Sequence, residues 1–402
     1  MWRVGFFFHE MGYGLLSVFL PLYVIAIGGS LFEIGVLTSV ALLFSIPASF
    51  MWGYLCDRSR RYKRYILLSF IASAILLYSF TYTSNVMLLI LLYTVMSILH
   101  MAHEAPKNVL IAELYSRQDW DKSFASYEGF TEVGWLIGLL LGFIASTLKF
   151  GSVNTLFICA GLNLVAFLLS AAFVRDPALV FERSLVTIEK SVDFASRGIF
   201  VASSVLDGAV VTTRLKKENV NAFCLGLILF SLATSILFTP MPVFVSRIVS
   251  AAVLPAGLVF AIFVLNSGGG VLGYVLARRR SEEPMTKSSS GRLVLFRGVF
   301  AFLLILTVQL SALGSVGLTT GVLIILGLLN ALFLVSVLSL SMEVIPAGKA
   351  GLFNVLIGIG AAAGSFVGPL IAQTFGYPFG FLDAFMVSGV MFILAYVAFK
   401  IF

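Results

Sequence analysis

The sequence predicts an all-α membrane protein: twelve transmembrane helices in two six-helix bundles that read as pseudo-repeats. Three observations predict it. First, 60% of the 402 residues are hydrophobic and only 11% are charged, with a mean hydropathy of +1.05. Soluble domains are about half apolar and about a quarter charged, so this chain has too little polar surface to cover a water-facing globule. Soluble enzyme, nucleic-acid binder and disordered regulator are thereby excluded. Second, the apolar residues gather in runs of the ~20-residue length that crosses a bilayer as a helix. Third, features of the first six runs recur in the last six.

The first runs fall at about 4–28, 33–55, 65–84, 86–112, 123–147 and 153–174, and the second set at about 219–246, 253–277, 293–313, 317–342, 350–375 and 380–401. This divides the chain into an N-terminal bundle (1–174), a charged cytoplasmic connector (175–218) and a C-terminal bundle (219–402). Within the connector, 192–212 is apolar enough for a helix lying on the membrane surface. The start resembles a signal peptide, but His9 and Glu10 interrupt the apolar run, so a retained first helix is expected. Cys56, Cys159 and Cys224 are widely spaced and form neither a disulfide framework nor a metal pattern.

Orientation follows from the basic residues. With both termini in the cytoplasm, only Lys149 and Arg247 fall in outer loops, Lys107 lies within a helix, and every other Lys and Arg is cytoplasmic. The net charge of +7 then reflects basic cytoplasmic loops and not a nucleic-acid partner.

The repeats are visible residue by residue. Gly53-Tyr54-Leu55-Cys56-Asp57-Arg58 closes helix 2, and Gly273-Tyr274-Val275-Leu276-Ala277-Arg278 closes helix 8. Gly134, Gly138 and Gly142 match Gly360, Gly364 and Gly368. Glu113 and Glu343 end helices 4 and 10, and Pro21 matches Pro242. Parallel six-helix repeats are a transporter architecture, with the substrate site between them near the bilayer midplane.

Ionisable residues inside membrane helices are costly and mark functional sites. His100, His103, Glu104 and Lys107 follow a helical spacing that puts them on one face of helix 4, with Tyr93 and Ser97 continuing the stripe. Helix 1 offers His9 and Glu10, with Tyr13, Gly14 and Ser17 on the Glu10 face; helix 5 offers Glu128 and Glu132. At 1.5 Å per residue, Glu10, Glu104 and Glu132 lie roughly 9–13 Å from the cytoplasmic ends of their helices. Four carboxylates against one lysine in low dielectric favour retention of a proton, as proton coupling requires; a structural network pairing Lys107 with Glu104 is the other reading. His100-x-x-His103-Glu104 contains metal-ligand residue types but not the His-Glu-x-x-His order of zinc proteases. No metal, no cofactor and no catalytic residue is assigned. The glycine stripe Gly134, Gly138, Gly142 reads as close helix packing. The C-terminal helices look nearly free of charge. Tyr13, Ser17, Asn266, Asn330 and Asn354 are candidates to line a substrate cavity.

The Gly53–Arg64 stretch, Gly-Tyr-Leu-Cys-Asp-Arg-Ser-Arg-Arg-Tyr-Lys-Arg, resembles the loop signature of the major facilitator superfamily. The chain length and six-plus-six plan agree with that family over essentially the whole sequence. The resemblance implies two bundles rocking about a central cavity lined by helices 1, 4, 7 and 10. It implies a gating motif of Gly53, Asp57, Arg58 and Arg61, with Asp57 helping to latch the outward-open state. Two features depart from the family's proton-coupled drug antiporters. Thr94 stands near the place of their helix 4 arginine, and Gly138-Leu139 replaces their Gly-Pro step, which occurs instead at Gly368-Pro369. The expected function is a monomeric secondary transporter moving a small molecule across the cell membrane by alternating access, coupled to protons. An uncoupled facilitator, or a membrane-embedded enzyme or sensor, is the alternative. No Walker-type glycine loop supports ATP-driven pumping.

Overall fold

The computed structural model describes residues 2–114, 120–176, 219–280, 287–344 and 351–402. Among these are twelve helices long and apolar enough to cross a membrane. They are α1 (Arg3–Ala26), α2 (Leu31–Ser59), α3 (Tyr62–Phe80), α4 (Val86–Ile111), α5 (Ser126–Thr147), α6 (Ser152–Phe173), α7 (Val220–Ala251), α8 (Leu258–Ala277), α9 (Ser290–Gln309), α10 (Ala312–Val337), α11 (Phe353–Thr374) and α12 (Phe379–Ile401). No strand occurs among the described residues. The surface helix expected at 192–212 lies outside them.

Local chemistry sets the helix ends and breaks. Ser30 and Glu33 form a capping box that starts α2: the Ser30 amide donates to Glu33 Oε2 at 2.7 Å and the Glu33 amide donates to Ser30 Oγ at 3.3 Å. Arg60 ends α2 in the left-handed conformation, its amide donating to the Cys56 carbonyl at 2.8 Å. In α4 the helix tightens to a 3₁₀ turn at Met101–His103. Pro106 has no amide to donate to the carbonyl of Ala102, and its ring crowds that carbonyl, so regular α-helix cannot run through this turn. Pro240 likewise divides α7 into Val220–Phe238 and Met241–Ala251.

The glycine stripes do equivalent work in both halves. A Cβ at Gly134 or Gly138 would run into the carbonyls of Phe7 or Met11, so α5 lies directly on α1. At Gly360, Gly364 and Gly368 it would run into the carbonyls of Ile228, Leu232 and Ile236, so α11 lies directly on α7. Small residues at this spacing let two backbones approach where lipid gives no hydrophobic drive to association. Gly134 and Gly138 and the second stripe therefore pack helices within each half, while a Cβ at Gly142 would meet the Phe260 ring of α8 in the other half. Between halves, α2 meets α11 and α5 meets α8. Large side chains such as Leu43, Phe44, Ile75, Leu168 and Leu272 stay exposed on the outer faces, where acyl chains would cover them.

The apolar core is asymmetric along the membrane normal. At the end away from the termini one core joins the halves: Val24, Leu31, Phe80 and Leu89 cluster with Val249, Phe260 and Phe381. Toward the termini the described residues form two separate cores. One holds Phe6, Ile66, Phe70, Leu110 and Tyr127; the other holds Phe223, Phe230, Phe333 and Phe399.

Candidate functional site

All three histidines of the chain converge in the first half. His9 of α1 and His103 of α4 are buried, His100 is half-buried, and one ring nitrogen from each lies within 4.8 Å of the others. Hydrogen bonds link the three rings to one another and to their surroundings. Asn163 Nδ2 donates to the Cys159 carbonyl at 2.9 Å, leaving its Oδ1 to accept from His9 Nδ1 at 2.6 Å. His9 Nε2 and His100 Nδ1 share a hydrogen bond at 3.1 Å. Ser69 Oγ gives its one proton to the His100 carbonyl at 3.0 Å and so accepts from His103 Nδ1 at 3.1 Å. His103 Nε2 faces Glu104 Oε1 at 3.2 Å, so these two atoms share one proton. Both nitrogens of His9 are engaged, which closes the cluster as a hydrogen-bonded chain.

From Glu104 the network continues along α4 to α5. Lys107 Nζ lies 2.7 Å from Glu104 Oε2 and 3.9 Å from Glu128 Oε1. Along the expected four-residue stripe, His100 meets α1, His103 meets α3, Glu104 bridges His103 and Lys107, and Lys107 reaches Glu128 of α5. Glu10 is half-buried, and among the described residues its carboxylate has no hydrogen-bonded or ion-paired partner. The Tyr13 ring lies tilted against His100, with ring centroids 4.5 Å apart, and its hydroxyl meets Ser73 Oγ at 3.2 Å.

Glu132 points away from this network and reaches the other half. Its Oε1 accepts from Ser267 Oγ of α8 at 2.6 Å. It lines a cavity of about 200 Å³ with Thr234, Asn266, Tyr274, Arg297 and Asn330. Arg297 corrects the expectation of a charge-free C-terminal interior. Sequence placed it at the cytoplasmic start of helix 9, but it is fully buried within α9. Its Nη1 donates to Asn330 Oδ1, and its guanidinium lies over the Phe230 and Phe392 rings at 4.8 and 5.2 Å. The signal was present: position 297 falls inside an apolar run, with no carboxylate nearby in sequence to pair it.

The remaining candidates are dispersed. Tyr13 and Ser17 line a smaller cavity of about 90 Å³ with Pro21, Thr38, Tyr93 and Trp135. Asn266 and Asn330 line the larger one; Asn354 is exposed and lines neither. Thr94 is buried and donates to the carbonyl of Ile90 at 2.8 Å. Asp57, Arg58 and Arg61 are exposed at the end of α2, and a Cβ at Gly53 would meet open space.

The model of the Major Facilitator Superfamily matches residues 4–357. The chain belongs to this family of membrane transporters. It is 24% identical over 382 residues to the multidrug resistance protein MdtG of Proteus mirabilis (strain HI4320), covering 93% of this chain and 88% of that protein. The protein of the same name from Citrobacter koseri (strain ATCC BAA-895 / CDC 4225-83 / SGSC4696) is 32% identical over 181 residues, 43% of each chain. Among solved structures, the nucleoside transporter NupG superposes with a TM-score of 0.75 at 13% identity, over 99% of this chain and 97% of that one. The peptide transporter POT in complex with sulfate gives 0.72 at 14% identity, over 100% and 93%. These structural likenesses establish the shared fold. Membership makes the chain a multi-pass membrane protein of a transporter family.

Proposed function

We propose that this protein is a proton-coupled secondary transporter of a small organic solute, working by alternating access in the cell membrane with both termini and the 175–218 connector on the cytoplasmic side. The observation that carries the reading is the Glu132–Ser267 hydrogen bond, which places a membrane carboxylate across the seam between the halves and inside a cavity. A proton arriving at or leaving Glu132 changes the charge on that seam, and so biases which arrangement of the halves is favoured. Behind it, Glu10 and the His103–Glu104–Lys107–Glu128 network supply titratable groups leading toward the end that bears the termini. Lys107 and His103 hold Glu104 in place, which shifts the exchangeable proton toward Glu10 and Glu132. The single core at one end and the separated cores at the other support a state open toward the termini. The multidrug relatives support a small organic cargo, and the basic-residue asymmetry supports the orientation.

The test is solute accumulation in proteoliposomes under an imposed pH gradient. Glu132→Gln, which keeps shape but fixes the neutral form, should abolish gradient-driven accumulation and leave solute exchange intact. Accumulation that still follows the pH gradient in Glu132→Gln, Glu10→Gln and the double mutant would sink the coupling. Labelling from outside intact cells of a cysteine placed at Ser184 or Ser289 would overturn the orientation.

A further inference from the structure

Resting on the transport reading, we infer that Arg297 anchors an anionic group of the transported solute, an oxyanion of the carboxylate or phosphate type, in the cavity between α5 and helices α7 to α10. A guanidinium inside a membrane helix calls for a counter-charge. Among the described residues no carboxylate forms an ion pair with Arg297. Its Nη1 is taken by Asn330, while Nε and Nη2 are buried without a hydrogen-bond partner. Those two nitrogens share one edge of the planar group, and their N–H bonds point in parallel. That edge is the fork that matches two oxygens of a carboxylate or phosphate.

The surroundings hold this fork ready. Phe230 and Phe392 lie against the guanidinium, and Asn330 fixes its other edge. A charged donor left unsatisfied in a buried site is costly, so a ligand that supplies two oxygens relieves a cost the empty protein carries. The cavity of about 200 Å³ leaves room for an acidic head group with a small body. Glu132 lines the same cavity. Like charges in one site disfavour each other, so an anion at Arg297 and a proton at Glu132 bind cooperatively. This links the anion site to the coupling step.

The experiment measures binding without any gradient, so its outcome is independent of coupling. Purified protein in nanodiscs is titrated with inorganic phosphate and with benzoate, using benzamide as the uncharged match, and read by calorimetry. At least one anion should bind and benzamide should not; which anion binds assigns the carboxylate or the phosphate class. Arg297→Gln should weaken binding by on the order of tenfold to a hundredfold. Arg297→Lys, which keeps the charge but loses the fork, should recover only part of it. Asn330→Asp supplies an internal carboxylate beside the guanidinium and should compete with the ligand, which keeps the test informative if Arg297→Gln does not fold. Glu132→Gln should bind the anion at least as tightly as the wild type, even where it accumulates nothing. The proposal is overturned if neither anion binds, if benzamide binds equally, or if Arg297→Lys and Asn330→Asp both keep wild-type anion affinity.

Discussion

In the first half, Gly134 and Gly138 bring α5 onto the backbone of α1; in the second, Gly360, Gly364 and Gly368 bring α11 onto α7 in the same way. The interiors enclosed by these matching scaffolds are unlike. The first half gathers two buried histidines, a half-buried third and a partly exposed Glu104–Lys107–Glu128 chain in which each charge has an opposite neighbour. The second buries Arg297, whose Nε and Nη2 have no hydrogen-bond partner among the described residues. Backbone packing is thus duplicated, and the chemistry is not. A repeat constrains the helix contacts that hold each bundle together, while the groups that handle charge are free to specialise. In our reading one half works on protons and the other on an anion.

The largest effects should separate the halves by sign. Lys107→Ala leaves Glu104 and Glu128, both partly exposed, without their cation, and an unpaired carboxylate within a membrane span is costly. The expected outcome is a clear fall in thermal denaturation temperature. Arg297→Met removes a buried charge that has no ionic partner, so stability should stay level or rise while anion binding disappears. If both substitutions destabilise equally, Arg297 is a structural cation and the contrast between the halves fails.

The scaffold, by contrast, should respond alike on both sides. Alanine at Gly138 or at Gly364 forces a methyl group against the Met11 or Leu232 carbonyl. Overpacking of this kind costs about 1–3 kcal/mol. Comparable losses of thermal stability in the two variants are expected; a loss in one alone would show that the halves are not packed equivalently. Smaller again is Asn163→Ala, which removes the acceptor for His9 Nδ1. A buried donor left unpaired costs about 1–2 kcal/mol, seen as a modest drop in denaturation temperature, and Asn163→Asp, which keeps an acceptor there, should recover most of it.

The scaffold was far more legible in the sequence than the site. Twelve apolar runs of bilayer length sufficed for the helices, because lipid demands that backbone groups be satisfied within each span. The glycine repeats even marked which helices pack closely. Charge pairing needed tertiary contacts. His9, on α1, meets His100, on α4, only because the two side chains reach each other across the interior of the first half, and no spacing in the chain announces it. The stripe on α4 was drawn as regular helix, although Pro106 four residues after Ala102 already contained the reason for the turn. Arg297 reads in the sequence as the cytoplasmic start of helix 9, because charge normally marks the end of an apolar run; a cavity behind it is the exception that sequence does not display. Glu128 and Glu132 sit one turn apart, yet they face different halves, and only the position of α8 separates their roles.

The smallest expected stability change lies at the end of α2, where the repeat is broken outright: Asp57 in the first copy, Ala277 in the second. Asp57 is exposed, and surface substitutions usually stay within about 0.5 kcal/mol. Asp57→Asn should therefore leave denaturation temperature and expression near wild type. Its effect is expected in kinetics, because a residue that latches one arrangement of the halves contributes only when that arrangement closes. Gly53 sharpens the point. A methyl group there meets open space in the present arrangement, so Gly53→Ala should be silent in stability too. If the end of α2 packs against the other half when the termini-bearing end closes, both variants should slow solute exchange and shift accessibility of cysteines placed in the cavity, with Gly53→Ala the weaker of the two. Wild-type exchange rates in both would reduce the motif to a cluster of positive charge that fixes topology, and the break in the repeat at Ala277 would carry no mechanistic meaning.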